Sequence, residues 1–223
     1  MIQIKICGIT RLKDALAALD CGVRILGFNF YPKSARHISW ESYTQLRYQL
    51  ENYHYPDVIY TGVFVNPKTS EIHRAISNLD LDQVQLHGDE APEILAAFEY
   101  KGIHAYKAIR PQTLEEAEFG GSLYGESKPA PALLIDAYHQ ALYGGSGVKG
   151  NWDIARAIAA QYPILLAGGL TPGNVADAIH QVLPWGVDTA SGVEKEPGNK
   201  DAQKIKDFVL AVQQASQDLQ HDE

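Results

Sequence analysis

The stretch PILLAGGLTPGNVADAIHQVL, residues 163–183, contains one complete structural unit of this chain. A short apolar run, PILLAG, leads through a glycine turn into PGNVADAIHQVL, whose apolar residues recur at the spacing of an amphipathic helix. The apolar run is nearly continuous, which is typical of a parallel strand buried on both faces. The stretch therefore predicts a strand, a loop and a helix that packs back onto the sheet.

The same strand–helix order recurs along the whole chain. The predicted strands are residues 2–7, 24–30, 57–65, 82–87, 103–109, 130–137, 163–168 and 185–191. Eight such units in 223 residues predict an α/β fold, a (β/α)8 barrel of parallel strands with outer helices. A doubly wound open sheet is the alternative. No linker or change of composition divides the chain, so we expect a single domain over residues 1–223, with a frayed polar tail from about residue 216.

Composition restricts the class of partner. The net charge of −8 disfavours nucleic acid and anionic membranes, which bind basic surfaces. The chain has no apolar run long enough for a membrane span and its first residues lack the apolar segment of a signal peptide, so we expect a cytoplasmic protein. The two cysteines, Cys7 and Cys21, fit no zinc, haem or disulfide spacing. We expect no metal and no cofactor.

In a barrel of this kind the active site lies at the carboxyl ends of the strands. Reactive or polar groups stand there in this sequence: Cys7, Asn66, His87, Arg110, Asp136, Gly168, Gly169 and Asp188. The glycine pair after the seventh strand and the stretch VDTASGVEKEPG (187–198) after the eighth let the backbone approach an anion closely. These two loops predict a phosphate site, whereas the alternative is a pair of tight turns without a ligand.

Each candidate side chain also has a purely structural interpretation. Cys7 ends the first strand and could act as a base or nucleophile, although most cysteines are simply packed in the core. Asp136 ends a strongly apolar strand, where desolvation would raise its pKa and suit a general acid, or it could cap a turn. Arg36 could bind a carboxylate through its planar fork, or lie in solvent. His87 could contact a ligand, while Cys21 is expected in the core.

Seven segments, taken together, resemble the phosphoribosylanthranilate isomerase family. They are KICGIT (5–10), LGFNFYPKSAR (26–36), GVFVN (62–66), VQLHGDE (84–90), LLIDA with GGSG (133–147), LAGGLTPGNV (166–175) and VDTASGVEKEPGNKD (187–201). Glycine turns are shared by many phosphate-binding barrels, but KICGIT, QLHG and SGVE at these separations are much more specific.

The resemblance implies an enzyme of tryptophan biosynthesis without a cofactor. Its reaction is an Amadori rearrangement of N-(5′-phosphoribosyl)anthranilate to 1-(2-carboxyphenylamino)-1-deoxyribulose 5-phosphate. By similarity, Cys7 is the general base, Asp136 the general acid, and Arg36 binds the anthranilate carboxylate. The phosphate would lie on the backbone of Gly168, Gly169, Ser191 and Gly192, with His87 and Asp188 lining the pocket. Members of the family are monomers, homodimers or fusions, and we expect a monomer or homodimer here.

Two other functions are compatible with the phosphate loops alone. One is another barrel enzyme, such as a sugar-phosphate isomerase, an epimerase or indole-glycerol-phosphate synthase. The synthase would need a lysine acid, for which Lys107 is the obvious candidate, together with glutamates at strand ends. The other is a non-catalytic barrel that binds a phosphorylated ligand, with Cys7 structural.

Overall fold

Eight parallel strands close into a barrel in the computed structural model, which describes residues 1–125, 128–137 and 152–221. The strands are β1 (Gln3–Cys7), β2 (Ile25–Asn29), β3 (Ile59–Phe64), β4 (Gln83–Leu86), β5 (His104–Ile109), β6 (Leu133–Asp136), β7 (Ile164–Ala167) and β8 (Gly186–Thr189). Each pairs with the next along the chain, and β8 closes on β1 with Asp188 opposite Lys5. The predicted (β/α)8 barrel is confirmed and the open sheet is wrong. The GGSG motif at 144–147 and residues 222–223 lie outside the described residues.

An α-helix follows each barrel strand, although a short 3-10 helix and a two-stranded hairpin come between β8 and the last helix. The α-helices are α1 (Leu12–Asp20), α2 (Trp40–Leu50), α3 (Thr69–Asn78), α4 (Pro92–Glu99), α5 (Leu114–Tyr124), α6 (Trp152–Ala159), α7 (Val175–Val182) and α8 (Ala202–His221). Local chemistry sets several ends. The Ser39 hydroxyl accepts a hydrogen bond from the Ser42 N–H and caps α2. Gly22, at φ +92°, follows the end of α1 in a backbone conformation that favours glycine. In the described part of the chain, no helix is both long and apolar enough to cross a membrane.

The predicted frayed tail from residue 216 is wrong as far as residue 221, because α8 continues to His221. The helix packs against α1 and α7, and Ala215 and Ser216 are buried at its inner face. The Ser216 hydroxyl also accepts a hydrogen bond from the Ile2 N–H at 3.3 Å. Burial and this bond to the residue before β1 stabilise a segment whose sequence is mostly polar.

The apolar core is the layer between the barrel and its helices, and the barrel interior has a different character. A small apolar cluster, with Tyr106, Leu134 and Leu165 at its centre, fills part of the interior. Beside it lie the buried polar side chains Lys5 and Gln85. These charges and amides can be accommodated only if they bond to one another, since an unpaired buried polar group is costly. The polar part of the interior forms the floor of the site.

Candidate active site

One cavity of about 420 Å³ opens at the carboxyl ends of the strands. Eight of the predicted site residues line it: Cys7, Arg36, His87, Asp136, Gly168, Gly169, Asp188 and Ser191. Gly192 is not part of the lining and lies behind it. The structure therefore brings together side chains from both ends of the chain at the place where a barrel of this type carries its active site.

Cys7 is the last residue of β1 and is buried at the base of the cavity. Gly27 makes room for it, because a Cβ at that position would lie 2.9 Å from the Cys7 sulfur. Burial and the Asp188 carboxylate raise the pKa of the Cys7 thiol, against the opposing influence of the Lys5 and Lys200 cations. The cysteine is thus placed for chemistry, but its surroundings favour the neutral thiol, and the nearby cations offset this only in part.

Lys5 lies beneath Cys7, fully buried inside the barrel. Its Nζ donates to Gln85 Oε1 at 2.8 Å and to Asp188 Oδ1 at 3.0 Å. Burial opposes the charge on Lys5, but the Asp188 carboxylate, together with Cys7 and Tyr106, outweighs it and the pKa of Lys5 is raised. Lys5 consequently remains a cation, and Asp188 is held by it at the cavity wall.

Asp136 ends β6 on the other side of the cavity. The Arg110 Nε lies 3.2 Å from Asp136 Oδ2, and the His87 Nε2 lies 3.7 Å from the same oxygen. The carboxyl group ends an apolar strand, as expected, and its neighbours also include a cation and an imidazole. Asp136 therefore lies at the cavity with a charged and a polar group beside its carboxylate.

Arg36 reaches the cavity from the loop after β2, and its guanidinium is already paired. It donates to both oxygens of Glu194, from Nε at 2.9 Å and from Nη2 at 2.7 Å. A guanidinium has five N–H donors, so the pair leaves the Nη1 donors for a ligand. Glu194 lies on strand β9 (Glu194–Glu196), which forms a hairpin with β10 (Asn199–Lys200), and it also accepts a hydrogen bond from the buried Lys200.

The glycine turn after β7 and the short 3-10 helix Ser191–Val193 after β8 form one wall of the cavity. Gly168 and Gly169 have φ of +101° and +70°, which other residues rarely adopt. Gly192 packs so closely that a Cβ would lie 1.8 Å from the Leu170 carbonyl oxygen. The two loops are further joined by the Thr189 hydroxyl, which donates to that same carbonyl at 2.7 Å. Together they form a backbone cradle of the kind that binds phosphate.

The lysine that a synthase would need is occupied elsewhere. Lys107 is buried on β5, and its Nζ lies 3.0 Å from Glu90 Oε2. The same Glu90 carboxylate accepts hydrogen bonds from the N–H groups of Asn66 and Gly88. Lys107 thus organises the loop after β4 and is already neutralised by a carboxylate.

The family model described as N-(5'phosphoribosyl)anthranilate (PRA) isomerase matches residues 4–211. The chain belongs to the phosphoribosylanthranilate isomerase family. The predicted enzyme, an isomerase of tryptophan biosynthesis, is confirmed.

Individual relatives agree with this assignment. An N-(5'-phosphoribosyl)anthranilate isomerase of Geobacter metallireducens is 40% identical over 209 residues, which cover 94% of this chain and 98% of that protein. The crystal structure of the phosphoribosylanthranilate isomerase of Thermotoga maritima has a TM-score of 0.83 at 36% identity, covering 96% of this chain and all of that one. A second crystal structure shows a phosphoribosylanthranilate isomerase in complex with reduced 1-(o-carboxyphenylamino)-1-deoxyribulose 5-phosphate. It has a TM-score of 0.81 at 33% identity and covers 96% of this chain and all of that one.

Several residues of this phosphoribosylanthranilate isomerase site were not predicted. Asn29, Gln85 and Thr189 also line the cavity, and Glu194 and Lys200 support Arg36 from behind. One signal was available for the interior network. A lysine in the apolar strand QIKIC needs a buried partner, which marks Lys5 as exceptional. Cys21, expected in the core, is only half-buried at the end of α1.

Proposed function

We propose that this chain converts N-(5′-phosphoribosyl)anthranilate to 1-(2-carboxyphenylamino)-1-deoxyribulose 5-phosphate, with Asp136 as general acid and Cys7 as general base. The observation that carries the proposal is the shared cavity. Cys7 on β1 and Asp136 on β6 open into the same space as the glycine cradle and Arg36. The solved relative bound to a reduced form of this product provides independent support.

The two ends of the substrate have complementary partners. The backbone of Gly168, Gly169, Ser191 and Gly192 would hold the phosphate, and the unused Nη1 donors of Arg36 would hold the anthranilate carboxylate. When the phosphate and the carboxylate are both held, the ribose between them is oriented toward the side chains of the cavity. Binding energy is thereby used to bring the reacting atoms into position. His87 and Asp188 line the wall beside the sugar.

The proton transfers then follow in order. Asp136 gives its proton to the ring oxygen, the bond from that oxygen to C1′ breaks, and an iminium forms between C1′ and the anthranilate nitrogen. Cys7 acts in its thiolate form, which burial disfavours and the Lys5 cation favours, and removes the C2′ proton to give an enolamine. Loss of the C2′ hydroxyl proton to Asp136 and protonation of C1′ by Cys7 give the ketone and restore both residues. Arg110 faces the Asp136 carboxylate that forms after the first step.

The loss of substrate fluorescence on turnover tests the proposal. We expect rapid decay with the unaltered chain and a fall in kcat of about 100-fold to 10,000-fold in both Cys7→Ser and Asp136→Asn. Cys21→Ser is the matched control, because Cys21 lies at the end of α1, outside the cavity lining, and should leave kcat unchanged. Decay no faster than spontaneous hydrolysis would reject the reaction. Decay that survives Cys7→Ser would remove the cysteine from it.

The partner that this proposal requires is a small phosphorylated substrate, with no cofactor. A chain with a net charge of −8 is suited neither to nucleic acid nor to an anionic membrane. A cytoplasmic location and a monomeric or homodimeric state remain predictions.

A further inference from the structure

A continuous line of hydrogen bonds crosses the floor of the cavity and ends beside Asp136. Lys5 Nζ and the Tyr106 hydroxyl both donate to Gln85 Oε1, at 2.8 and 3.2 Å. The other end of the same amide, Gln85 Nε2, lies 2.9 Å from His87 Nδ1. Lys5, Gln85 and Tyr106 are all buried, so water does not compete for these bonds.

The chemistry of the donors fixes the direction of every bond in this line. A lysine ammonium can only donate, so the atom of Gln85 that faces it must be the amide oxygen. The amide nitrogen of Gln85 therefore faces His87, and since it also can only donate, His87 Nδ1 must accept. A neutral imidazole with an accepting Nδ1 carries its proton on Nε2. Lys5 thus determines the tautomer of His87 through one intervening amide.

The Nε2–H of His87 is directed at the proposed acid. Nε2 lies 3.7 Å from Asp136 Oδ2, and it is buried without a hydrogen bond to any residue that the structure describes. The distance is longer than a hydrogen bond, so a small movement of the Asp136 carboxylate would complete one. The opposite tautomer would turn an Nε2 lone pair toward the carboxylate and repel it.

We propose that Gln85, held by Lys5, is a positioning residue that keeps His87 in the Nε2–H tautomer, so that His87 can donate to Asp136 after this acid has released its proton. The role rests on the reaction proposed above. Gln85 contacts neither reacting atom in this scheme and acts through His87.

The chain offers a matched pair of substitutions for the test. In Gln85→Glu, one carboxylate oxygen can still accept from Lys5, but the other can only accept, so His87 must then carry a proton on Nδ1. Gln83→Glu places the same change two residues earlier on the same strand, where Gln83 is also buried but accepts from Thr61 at 3.2 Å instead of contacting His87. A general effect of a buried charge would appear in both variants, whereas loss of the Nε2–H tautomer of His87 would appear only in Gln85→Glu.

Nitrogen-15 NMR of the histidine rings gives a readout that does not require turnover. His87→Gln assigns the His87 signals among the 8 histidines. We expect an unprotonated Nδ1 and a protonated Nε2 in the unaltered chain and in Gln83→Glu, and a protonated Nδ1 in Gln85→Glu. With N-(5′-phosphoribosyl)anthranilate, kcat should fall by about 10-fold to 100-fold in Gln85→Glu, with KM changed by less than about twofold.

A protonated Nδ1 in the unaltered chain would overturn the proposal, and so would full kcat in Gln85→Glu despite a proton on Nδ1. If Gln85→Glu does not fold, Gln85→Met replaces it, and the His87 nitrogens should then average between the two tautomers. A fixed Nε2–H tautomer in that variant would show that Gln85 is not what holds it. Absence of turnover by the unaltered chain would instead overturn the proposed reaction, and the ring spectra distinguish that failure from failure of the positioning role.

Discussion

Both carboxylate oxygens of Glu194 accept hydrogen bonds from the Arg36 guanidinium. Arg36 Nε donates to Glu194 Oε1 at 2.9 Å, and Arg36 Nη2 donates to Glu194 Oε2 at 2.7 Å. Lys200 and the N–H of Gly198 donate to the same carboxylate, at 2.9 and 3.1 Å. Burial opposes the charge on Glu194, but these partners outweigh it and its pKa is lowered. The orientation of the proposed carboxylate-binding arginine is therefore set by a hairpin far along the chain.

Replacing Glu194 by glutamine should loosen Arg36 without touching the reacting groups. An amide can accept through only one of its two ends, so one bond of the bidentate pair is lost. We expect KM for the substrate to rise by about 10-fold and kcat to stay within about twofold, measured by substrate fluorescence. Glu196→Gln on the exposed side of the same hairpin is the control and should change neither constant. An unchanged KM in Glu194→Gln would argue against Arg36 as the carboxylate-binding residue.

The pKa of Cys7 should respond in opposite directions to the removal of two of its charged neighbours, Asp188 and Lys5. Because burial raises this pKa, alkylation by iodoacetamide should reach its plateau rate at higher pH than for a free thiol. Asp188→Asn removes a negative charge that disfavours the thiolate, so the midpoint should move to lower pH. Lys5→Gln removes the stabilising cation and should move it to higher pH.

This titration is best done in a Cys21→Ser background, so that Cys7 is the one thiol being measured. A midpoint that moves the same way in both variants would show that packing, rather than charge, sets the pKa. Circular dichroism at each pH checks that the barrel remains folded.

Gly192 should tolerate no side chain. A methyl group there would collide with the Leu170 carbonyl at 1.8 Å and with the Thr189 hydroxyl at 2.8 Å, which would push the two glycine loops apart. We expect Gly192→Ala to raise KM by about 10-fold or more and to weaken competitive inhibition by inorganic phosphate to a similar extent. Gly173→Ala in the neighbouring loop meets nothing closer than 3.9 Å and should behave as the unaltered chain. Equal inhibition by phosphate in both variants would count against the cradle.

The Lys107–Glu90 pair should matter for stability more than for chemistry. Lys107→Met leaves the Glu90 carboxylate buried with only backbone N–H partners among those described, and breaking a buried ion pair costs about 3–5 kcal/mol. We expect the free energy of unfolding in urea to fall by this amount. Lys101→Met, at an exposed position before β5, should change it by less than about 0.5 kcal/mol. A Lys107→Met protein of normal stability would show that the carboxylate is already satisfied by the backbone.

Those parts of the fold that are determined by residues close together in the sequence could be predicted from it. The eight apolar runs located all the barrel strands, and KICGIT placed Cys7 at the end of β1. The tail was the exception. Its polar residues indicated fraying, whereas burial of its inner face and a bond between Ser216 and the distant Ile2 stabilise it.

The supporting interactions of the site could not be predicted, because they join residues that are far apart in sequence. Lys5 and Gln85 are separated by 80 positions, and Arg36 and Glu194 by 158. No motif or spacing in the sequence links either residue of a pair to its partner. Even the lysine inside QIKIC shows only that some buried acceptor exists, and barrel closure selects Asp188 and Gln85 for it.

The closure of β8 on β1 has a consequence during translation. A ribosome that has completed Arg36 must add 158 more residues before Glu194 is made, and Lys5 waits still longer, 183 residues, for Asp188. Until the last strand unit leaves the exit tunnel, Lys5 has no Asp188 with which to pair. The glycine turn after β7 likewise lacks the loop after β8 that completes the cradle. A fragment released before Asp188 and Glu194 are made can therefore form neither of these two ion pairs.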